Sequence, residues 1–292
     1  MPMRFPSALL LLLTLCHSAP SPAQRLPDKP GPATLWYSEQ FVLHSRSVGR
    51  DFLIQVALPA DPIPGKTPAL FLLDGNTSFG LAAPMLGLDS YGGAFEPAFV
   101  IGIGYPVHTK AEWDKWRQID LTATPLPVMA GKTVPPGDSG GGMAFQHFLS
   151  DELRPLIEAR YHTDPHRAIL AGHSFGGLFA AHVLLTDPGA FDAYLIGSPS
   201  LWAEPDLLAK AKTFVAPART RVFLGVGADE TLPFGDDFHM VGNTGTLAAL
   251  LSRHAANVDL RLEIFPGEGH VSSIPVLLEH GFRFLFPPPA AP

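Results

Sequence analysis

The chain has 292 residues, of which 46% are hydrophobic, and a formal net charge of -7 at pH 7. This length suits one α/β domain with a large core, because the buried fraction grows with chain length. The acidic balance excludes the basic surface that binding to nucleic acid requires. The only cysteine is Cys16, so disulfides and cysteine metal sites are excluded from the rest of the chain.

The first residues have the order of a secretory signal. One positive charge, Arg4, precedes an apolar run at 7–15, and small residues follow up to Ala23. This order is typical of a signal peptide, and the apolar run is shorter than the roughly 20 residues that span a bilayer. We therefore expect a signal peptide at 1–23, a single domain at 24–292, and a periplasmic or secreted protein without stable membrane insertion.

Strand and helix patterns alternate along the rest of the chain. Period-2 or short apolar runs predict strands at 40–43, 52–58, 69–73, 98–103, 168–171, 193–196, 221–226 and 259–265. Helical spacing predicts helices at 142–161, 176–185, 205–211, 244–254 and 275–284. This alternation predicts an α/β fold with a mostly parallel sheet and helices on both faces. Ligands then sit beyond the carboxyl ends of the strands. Residues 106–136 are expected to form a loop that shapes the pocket.

The pentapeptide Gly172-His173-Ser174-Phe175-Gly176 fits the G-x-S-x-G pattern. It lies between a predicted strand and a predicted helix, where a tight turn lifts a serine hydroxyl out of the sheet. The helix N-terminus adds a positive potential at this point. We therefore expect Ser174 to be the nucleophile and the backbone N–H of Phe175 to face a developing oxyanion.

A second serine, Ser139, lies in Gly137-Asp138-Ser139-Gly140-Gly141. This segment matches the surroundings of the nucleophile in chymotrypsin-like proteases, which are all-β proteins. Here it follows two prolines and leads into a predicted helix, and no matching histidine segment precedes it. The expected structure is a loop at a helix entrance.

A serine hydroxyl needs a base to act as a nucleophile. Among the 12 histidines, His270 follows the last predicted strand, where an α/β-hydrolase fold places the catalytic histidine. The acid is expected after the preceding strand, which offers Asp229 and Glu230. Glu230 is the preferred candidate and Asp229 the alternative.

The oxyanion hole needs a second N–H, which such folds take from the loop after an early central strand. The segment Leu73-Asp74-Gly75-Asn76 follows the strand predicted at 69–73. We expect Gly75 to let the chain turn so that the N–H of Asn76 points at the site.

The whole pattern resembles the putative-esterase family of α/β-hydrolases, from about Tyr37 to Phe286. The resemblance is carried by the segments at 71–76, 100–105, 117–122, 141–155, 172–177, 198–200 and 269–270. Members include enterobactin/salmochelin and bacillibactin trilactone esterases, esterase D, feruloyl esterases and antigen 85 mycolyltransferases. The siderophore-esterase branch is the most similar, through 104–105 and the pair Arg117 and Asp120.

The resemblance implies that Ser174 and His270 carry over directly and that Glu230 matches the acidic end of a Gly-x-x-Glu segment. It also allows a Ser–His dyad without the acid. Arg117 matches a recurrent arginine near the substrate. Its role is either to anchor an anionic substrate or to form a structural ion pair with Asp120.

The expected function is hydrolysis of a carboxylic ester through an acyl-enzyme, with a siderophore-type trilactone as one candidate substrate. The alternatives are acyl transfer to an alcohol and a secreted binding protein without turnover. Neither a metal nor an organic cofactor is expected, and the partners are a small-molecule ester and no nucleic acid. The chain is expected to be a monomer or a weak homo-oligomer.

Overall fold

The computed structural model describes residues 34–129, 131–230, 238–254 and 257–288. The predicted signal peptide at 1–23 lies outside these residues, so it stays a prediction. Among the residues described, no helix has both the length and the apolar character needed to cross a membrane.

The described strands form one large sheet and one short hairpin. In chain order the strands are β1 (Ser38–Ser45), β2 (Arg50–Ala57), β3 (Ala69–Leu72), β4 (Phe99–Gly104), β5 (Val128–Met129), β6 (Lys132–Thr133), β7 (Ala168–His173), β8 (Ala193–Gly197), β9 (Thr220–Gly227) and β10 (Val258–Phe265). The large sheet has the order β1-β2-β4-β3-β7-β8-β9-β10, and β5 pairs with β6.

The large sheet is mostly parallel, as the sequence predicts. Only its first two pairings, β1 with β2 and β2 with β4, are antiparallel, and the five pairings from β4 to β10 are parallel. The central strands β3, β4, β7 and β8 are buried almost throughout, since both faces are covered by helices. The carboxyl ends of six parallel strands therefore meet at one edge.

The helices cover the sheet in two layers. In chain order they are α1 (Gly75–Tyr91), α2 (Lys110–Asp120), α3 (Gly142–His147), α4 (Arg154–Tyr161), α5 (Phe175–Thr186), α6 (Asp206–Ala211), α7 (Met240–Leu251) and α8 (Ser273–Leu285). One core cluster contains buried side chains of α1 and α8. The other contains those of α3 to α7. The two clusters lie on opposite faces of the sheet.

The expectation of a loop at 106–136 is wrong in part, because the segment contains helix α2 and the β5–β6 hairpin. A capping box starts the helix: the Thr109 hydroxyl accepts from the N–H of Glu112, and the Glu112 carboxylate accepts from the N–H of Thr109. This Thr-x-x-Glu spacing is a sequence signal for a helix start. It was available in the sequence and would have located α2.

The helix predicted at 142–161 exists, but a π-helical segment at Phe148–Leu153 joins α3 to α4. Helix α1 was not predicted, since Gly80, Pro84 and Gly87 interrupt its pattern. Packing of Phe79 and Leu86 in the core overrides this low local propensity.

Gly177 fixes how closely α5 approaches β8. A Cβ at Gly177 would lie 2.3 Å from the carbonyl oxygen of Gly197. Neither backbone moves freely at this contact, because β8 is a central buried strand. A residue with a side chain therefore overpacks the junction.

We predict that Gly177→Ala lowers the free energy of unfolding by about 1–3 kcal/mol, measured by urea denaturation. Gly80→Ala is the matched control, because a Cβ there meets no atom within 4 Å and alanine favours the helix by about 0.5–1 kcal/mol. Equal stability of Gly177→Ala and the unmodified chain would contradict the tight junction.

Candidate active site

Ser174 lies on the sharp turn between β7 and α5. Its backbone has φ 62° and ψ −119°, a strained conformation for a residue with a side chain. A Cβ at Gly172 would lie 2.4 Å from the carbonyl of Gly176, so the turn closes only with glycine there. The Ser174 N–H donates to the carbonyl of Gly197 at 3.0 Å, which ties the turn to β8.

His270 and Glu230 lie beside this serine, so the structure brings the three predicted residues together. The Oγ of Ser174 is 3.0 Å from Nε2 of His270. Nδ1 of the same ring is 2.9 Å from Oε2 of Glu230. The side chain of His270 is 11% exposed and that of Glu230 is 0% exposed, so the carboxylate is the buried end of this chain of contacts, and Ser174 at the other end is half-buried.

Glu230, and not Asp229, contacts the imidazole. The Oε1 atom of Glu230 accepts from the N–H of Gly227 at 2.8 Å and from the hydroxyl of Ser198. Its neighbour Asp229 is exposed. Buried carboxylates need such donors, so Ser198 holds the acid in place. Sequence analysis noted Ser198 only as part of a resemblance and missed this contact.

His173 packs against His270, with ring centroids 4.6 Å apart. Its Nε2 atom is shut off from solvent and has no partner among the described residues. This desolvation lowers the pKa of His173 well below its ordinary value of 6.5, because burial disfavours the charged form. A neutral ring thus lies behind the imidazole that faces Ser174.

The two predicted oxyanion donors lie in the first turns of two helices. Phe175 begins α5, and Asn76 is the second residue of α1. First-turn N–H groups have no acceptor within their own helix. The starts of the two helices are close, since a Cβ at Gly176 would lie 3.4 Å from a carboxylate oxygen of Asp74.

The expectation that Gly75 makes the turn is wrong. Asp74 has the left-handed conformation, with φ 55° and ψ 41°, and Gly75 is the first residue of α1. Asp is one of the residues that tolerate this region. Gly75 is needed for a different reason, because a Cβ there would lie 2.9 Å from the backbone of Gly102.

The side chain of Asn76 is used structurally. Its Nδ2 donates to the carbonyl of Tyr105 at 2.8 Å, and its Oδ1 accepts from the N–H of Tyr105 at 2.7 Å. A Cβ at Gly104 would lie 2.4 Å from this Oδ1, so glycine permits the contact. The paired bonds fasten the start of α1 to the end of β4 and leave the side chain of Asn76 engaged.

Arg117 forms its ion pair with Asp74. Its Nε and Nη2 donate to the two carboxylate oxygens, each at 2.8 Å. The alternative of an ion pair between Arg117 and Asp120 is wrong, because Asp120 pairs with Arg50. The side chain of Arg117 also lies over the ring of Phe175, 5.5 Å from its centroid, so it lies at the junction of both helix starts.

Asp120 belongs to a buried layer under this junction. Burial raises its pKa to about 6, and the charge of Arg50 opposes that rise. The Arg50 guanidinium lies 4.4 Å from the ring centroid of Trp116. Through Arg50 this layer joins α2 to β2. Helix α2 also carries Arg117.

Three side chains of the site have metal-ligand spacing. Donor atoms of His173, Glu230 and His270 all lie within 4.8 Å of one another. Both ring nitrogens of His270 already contact Ser174 and Glu230. A metal ion there would compete with those two contacts, so the arrangement suits proton transfer better than coordination.

Ser139, the second candidate serine, has a structural role. Ser139 is buried, and its Oγ accepts from the N–H of Leu126 at 2.8 Å. The predicted loop at a helix entrance is what the chain forms, since α3 begins at Gly142.

Residues 45–249 match the family described as Putative esterase. The ferri-bacillibactin esterase BesA of Bacillus subtilis is 32% identical over 271 residues, which cover 86% of this chain and 90% of that protein. The siderophore triacetylfusarinine C esterase of Aspergillus fumigatus is 35% identical over 196 residues, which cover 64% of each chain.

Solved structures give the same result. The BES protein of Bacillus cereus superposes with a TM-score of 0.76 at 29% identity, covering 90% of this chain and 99% of that one. The siderophore hydrolase EstB of Aspergillus nidulans has a TM-score of 0.74 at 28% identity, covering 90% and 100%. The predicted fold is thereby confirmed. The chain belongs to the Putative esterase family of α/β-hydrolases and is a carboxylic ester hydrolase.

Proposed function

We propose that this hydrolase cleaves a siderophore-type trilactone, with Ser174 as nucleophile, His270 as general base and Glu230 as the acid that orients the base. The observation that carries the proposed mechanism is the 3.0 Å contact between Ser174 Oγ and His270 Nε2. At this distance the imidazole takes the hydroxyl proton directly. An ester carbonyl above Ser174 then meets an activated oxygen.

The reaction has two acyl-transfer steps. Ser174 Oγ attacks the ester carbonyl carbon while its proton moves to Nε2 of His270. The tetrahedral intermediate then collapses, the bond to the alcohol oxygen breaks, and His270 gives its proton to that oxygen. Water attacks the acyl-enzyme by the same route, its proton passing through His270 to Ser174, and the acid is released.

The backbone N–H groups of Phe175 and Asn76 are the proposed oxyanion donors. Both lie in the first turn of a helix, so the helix dipoles add a positive potential at the carbonyl oxygen. One such donor is worth about 10²–10³ in rate. Because Asn76 is fastened to Tyr105, its N–H is held in position before substrate arrives.

Glu230 is proposed to act on the imidazole alone. Its Oε2 accepts from Nδ1 of His270, which leaves Nε2 as the proton acceptor and favours the imidazolium that forms during attack. A dyad without an acid is the alternative from the family resemblance. The 0% exposure of the Glu230 side chain supports the triad, because a buried carboxylate beside imidazolium is a strong partner.

The trilactone proposal is supported by what the relatives act on. Four relatives are named as esterases of ferri-bacillibactin, triacetylfusarinine C, enterobactin and apo-salmochelin. All of these are siderophores. The same names favour hydrolysis over acyl transfer to an alcohol and over binding without turnover.

Arg117 is proposed to border the substrate and to hold the oxyanion loop through Asp74. The loop is defined here as residues 73–76. The bidentate geometry of the Arg117–Asp74 pair fixes orientation as well as distance. Asp74 itself has left-handed backbone, so loss of the pair releases a conformation that is costly to maintain.

We also propose that residues 1–23 are a cleaved signal peptide, that residues 24–292 form a single domain, and that the protein is periplasmic or secreted. The support is the order of charge, apolar run and small residues described above. The proposed partner is a small-molecule ester, with the protein acting as a monomer or a weak homo-oligomer.

The first prediction concerns the nucleophile and the substrate together. The unmodified protein should cleave a catecholate trilactone at least about tenfold more efficiently, in kcat/KM, than p-nitrophenyl acetate or a feruloyl ester, because remote contacts add to transition-state binding. Ser174→Ala should lower kcat at least about 10⁴-fold and abolish labelling by a fluorophosphonate probe.

Ser139→Ala is the matched control, since its hydroxyl lies in the alternative serine motif and only caps the N–H of Leu126. It should keep both the labelling and the trilactone hydrolysis. Labelling that survives in Ser174→Ala would refute the nucleophile. Slow cleavage of every trilactone beside fast cleavage of p-nitrophenyl acetate would refute the substrate.

Arg117 gives a separate prediction. Arg117→Met should lower kcat about 10–100-fold with a smaller change in KM, since a loop displaced by 1 Å costs about 10² in rate. Arg117→Lys should recover only part of this, because lysine cannot make the paired contact. Adding Asp74→Asn to Arg117→Met should cost little more, because the two changes remove one interaction. A raised KM with unchanged kcat would instead assign Arg117 to direct substrate binding.

Export is tested by expressing the full chain in a Gram-negative host and determining the N-terminus of the product. The expected N-terminus is Gln24, in the periplasmic fraction. A product that keeps Met1 in the cytoplasm would overturn the signal peptide.

A further inference from the structure

The loop after β8 contacts the proposed triad at both of its ends. Residues 198–200, named here the Ser-Pro-Ser segment, begin that loop. The hydroxyl of Ser198 donates to Oε1 of Glu230. The hydroxyl of Ser200 lies 3.5 Å from the Oγ of Ser174. The first contact holds the acid, and the second brings a further hydroxyl to the nucleophile.

The backbone of the Ser-Pro-Ser segment is held on two sides. The N–H of Ser198 donates to the carbonyl of Gly225 in β9 at 2.7 Å. The N–H of Ser200 donates to the carbonyl of Ser174 at 3.2 Å. Ser198 has φ 38°, a conformation that its surroundings must maintain, and the ring of Pro199 fixes the next φ. The position of the Ser200 side chain is therefore set by β9 and by the turn at the nucleophile.

Ser200 is almost fully buried. It is 3% exposed, and among the residues that the structure describes its hydroxyl has a single hydrogen-bond partner, the Oγ of Ser174. Buried hydroxyls are hydrogen-bonded in native structures. The contact with the nucleophile is therefore the contact that satisfies the Ser200 hydroxyl.

The donors and acceptors of the site determine which of the two hydroxyls donates. Oε1 of Glu230 accepts two hydrogen bonds, as a carboxylate does, and a carboxylate can only accept. Nδ1 of His270, which is 2.9 Å from Oε2, must then carry the proton of the neutral ring, so Nε2 is an acceptor. Ser174 gives its one proton to this Nε2. Ser200 is consequently the donor to Ser174.

This hydrogen bond becomes stronger during the reaction. Its length of 3.5 Å exceeds the usual separation of two hydroxyl oxygens, about 2.5–3.0 Å. When the proton of Ser174 moves to His270, the Ser174 oxygen gains negative charge, and hydrogen bonds to a charged oxygen are shorter and stronger. The same oxygen carries negative charge again when it leaves the acyl group. A donor that is weak at rest and strong in both transition states raises kcat.

From these contacts, and resting on the proposed nucleophile, we propose that Ser200 is a catalytic residue whose hydroxyl donates to the Oγ of Ser174 and stabilises the charge on that oxygen during attack and departure. Ser200 keeps its own proton throughout, and the proton of Ser174 passes to His270. This role differs from that of the oxyanion donors, which act on the carbonyl oxygen of the substrate. The Ser-Pro-Ser segment thus supports the acid with one hydroxyl and the nucleophile with the other.

The test removes this one hydroxyl. Ser200→Ala should lower kcat about 10–100-fold for p-nitrophenyl acetate and for the catecholate trilactone, which is the effect of one hydrogen bond to a charged group. KM should change little, because attack and departure slow together. The rate constant for labelling by a fluorophosphonate probe should fall by a similar factor, since labelling reports the attack by Ser174.

Two further variants separate the hydroxyl from the shape of the side chain. Ser200→Thr and Ser200→Val add the same branch at Cβ, and only threonine keeps the hydroxyl. Both lose activity through crowding, but the threonine variant should exceed the valine variant at least about tenfold in kcat. Thr244→Val is the control: it removes a buried hydroxyl that donates within α7 and should leave kcat unchanged.

The inference is wrong if any of three results is obtained. They are a Ser200→Ala enzyme with the kcat and labelling rate of the unmodified protein, threonine and valine variants of equal kcat, and a loss of kcat in Thr244→Val as large as in Ser200→Ala. Activity and labelling that survive in Ser174→Ala would instead overturn the proposed nucleophile, on which this inference rests.

Discussion

The structure depends on the sharp turn between β7 and α5. Ser174 sits there with a positive φ, a conformation that costs free energy and is held by bonds to neighbouring strands. Glycine at 172 lets the end of β7 approach the start of α5, and glycine at 177 lets α5 approach β8. The turn places the Ser174 hydroxyl beyond the edge of the sheet. The other residues of the site therefore reach that hydroxyl from different loops.

Two sets of buried polar contacts, the supports of the site, hold these loops beside Ser174. On one side, Glu230 is buried, accepts hydrogen bonds from Ser198 and Gly227, and contacts the ring of His270. On the other, the oxyanion loop is fastened by the Asn76 contact with Tyr105 and by the pair of Asp74 with Arg117. Both supports use buried polar groups whose partners are satisfied, which restricts each to one arrangement. This preorganisation is what an ester hydrolase requires.

The charges of the site follow from the same supports. Arg117 contacts both helix starts, because its guanidinium lies over the ring of Phe175 and pairs with Asp74. Glu230 is likewise engaged, because its Oε2 bonds to Nδ1 of His270.

Sequence alone determined the fold class, and it predicted the serine, histidine and carboxylate that the structure brings together. Apolar alternation marks the buried strands. The G-x-S-x-G pentapeptide reflects the local geometry of the turn at Ser174, and the chain order serine, acid, histidine indicates which loops carry the other two groups. Sequence analysis preferred Glu230 and kept the adjacent Asp229 as the alternative, because the direction of each side chain depends on tertiary contacts such as that between Ser198 and Glu230. It could not find the partner of Arg117, 43 residues away in sequence. Helix α1, with its glycines and proline, forms because tertiary burial outweighs local propensity, and only the folded sheet supplies that burial.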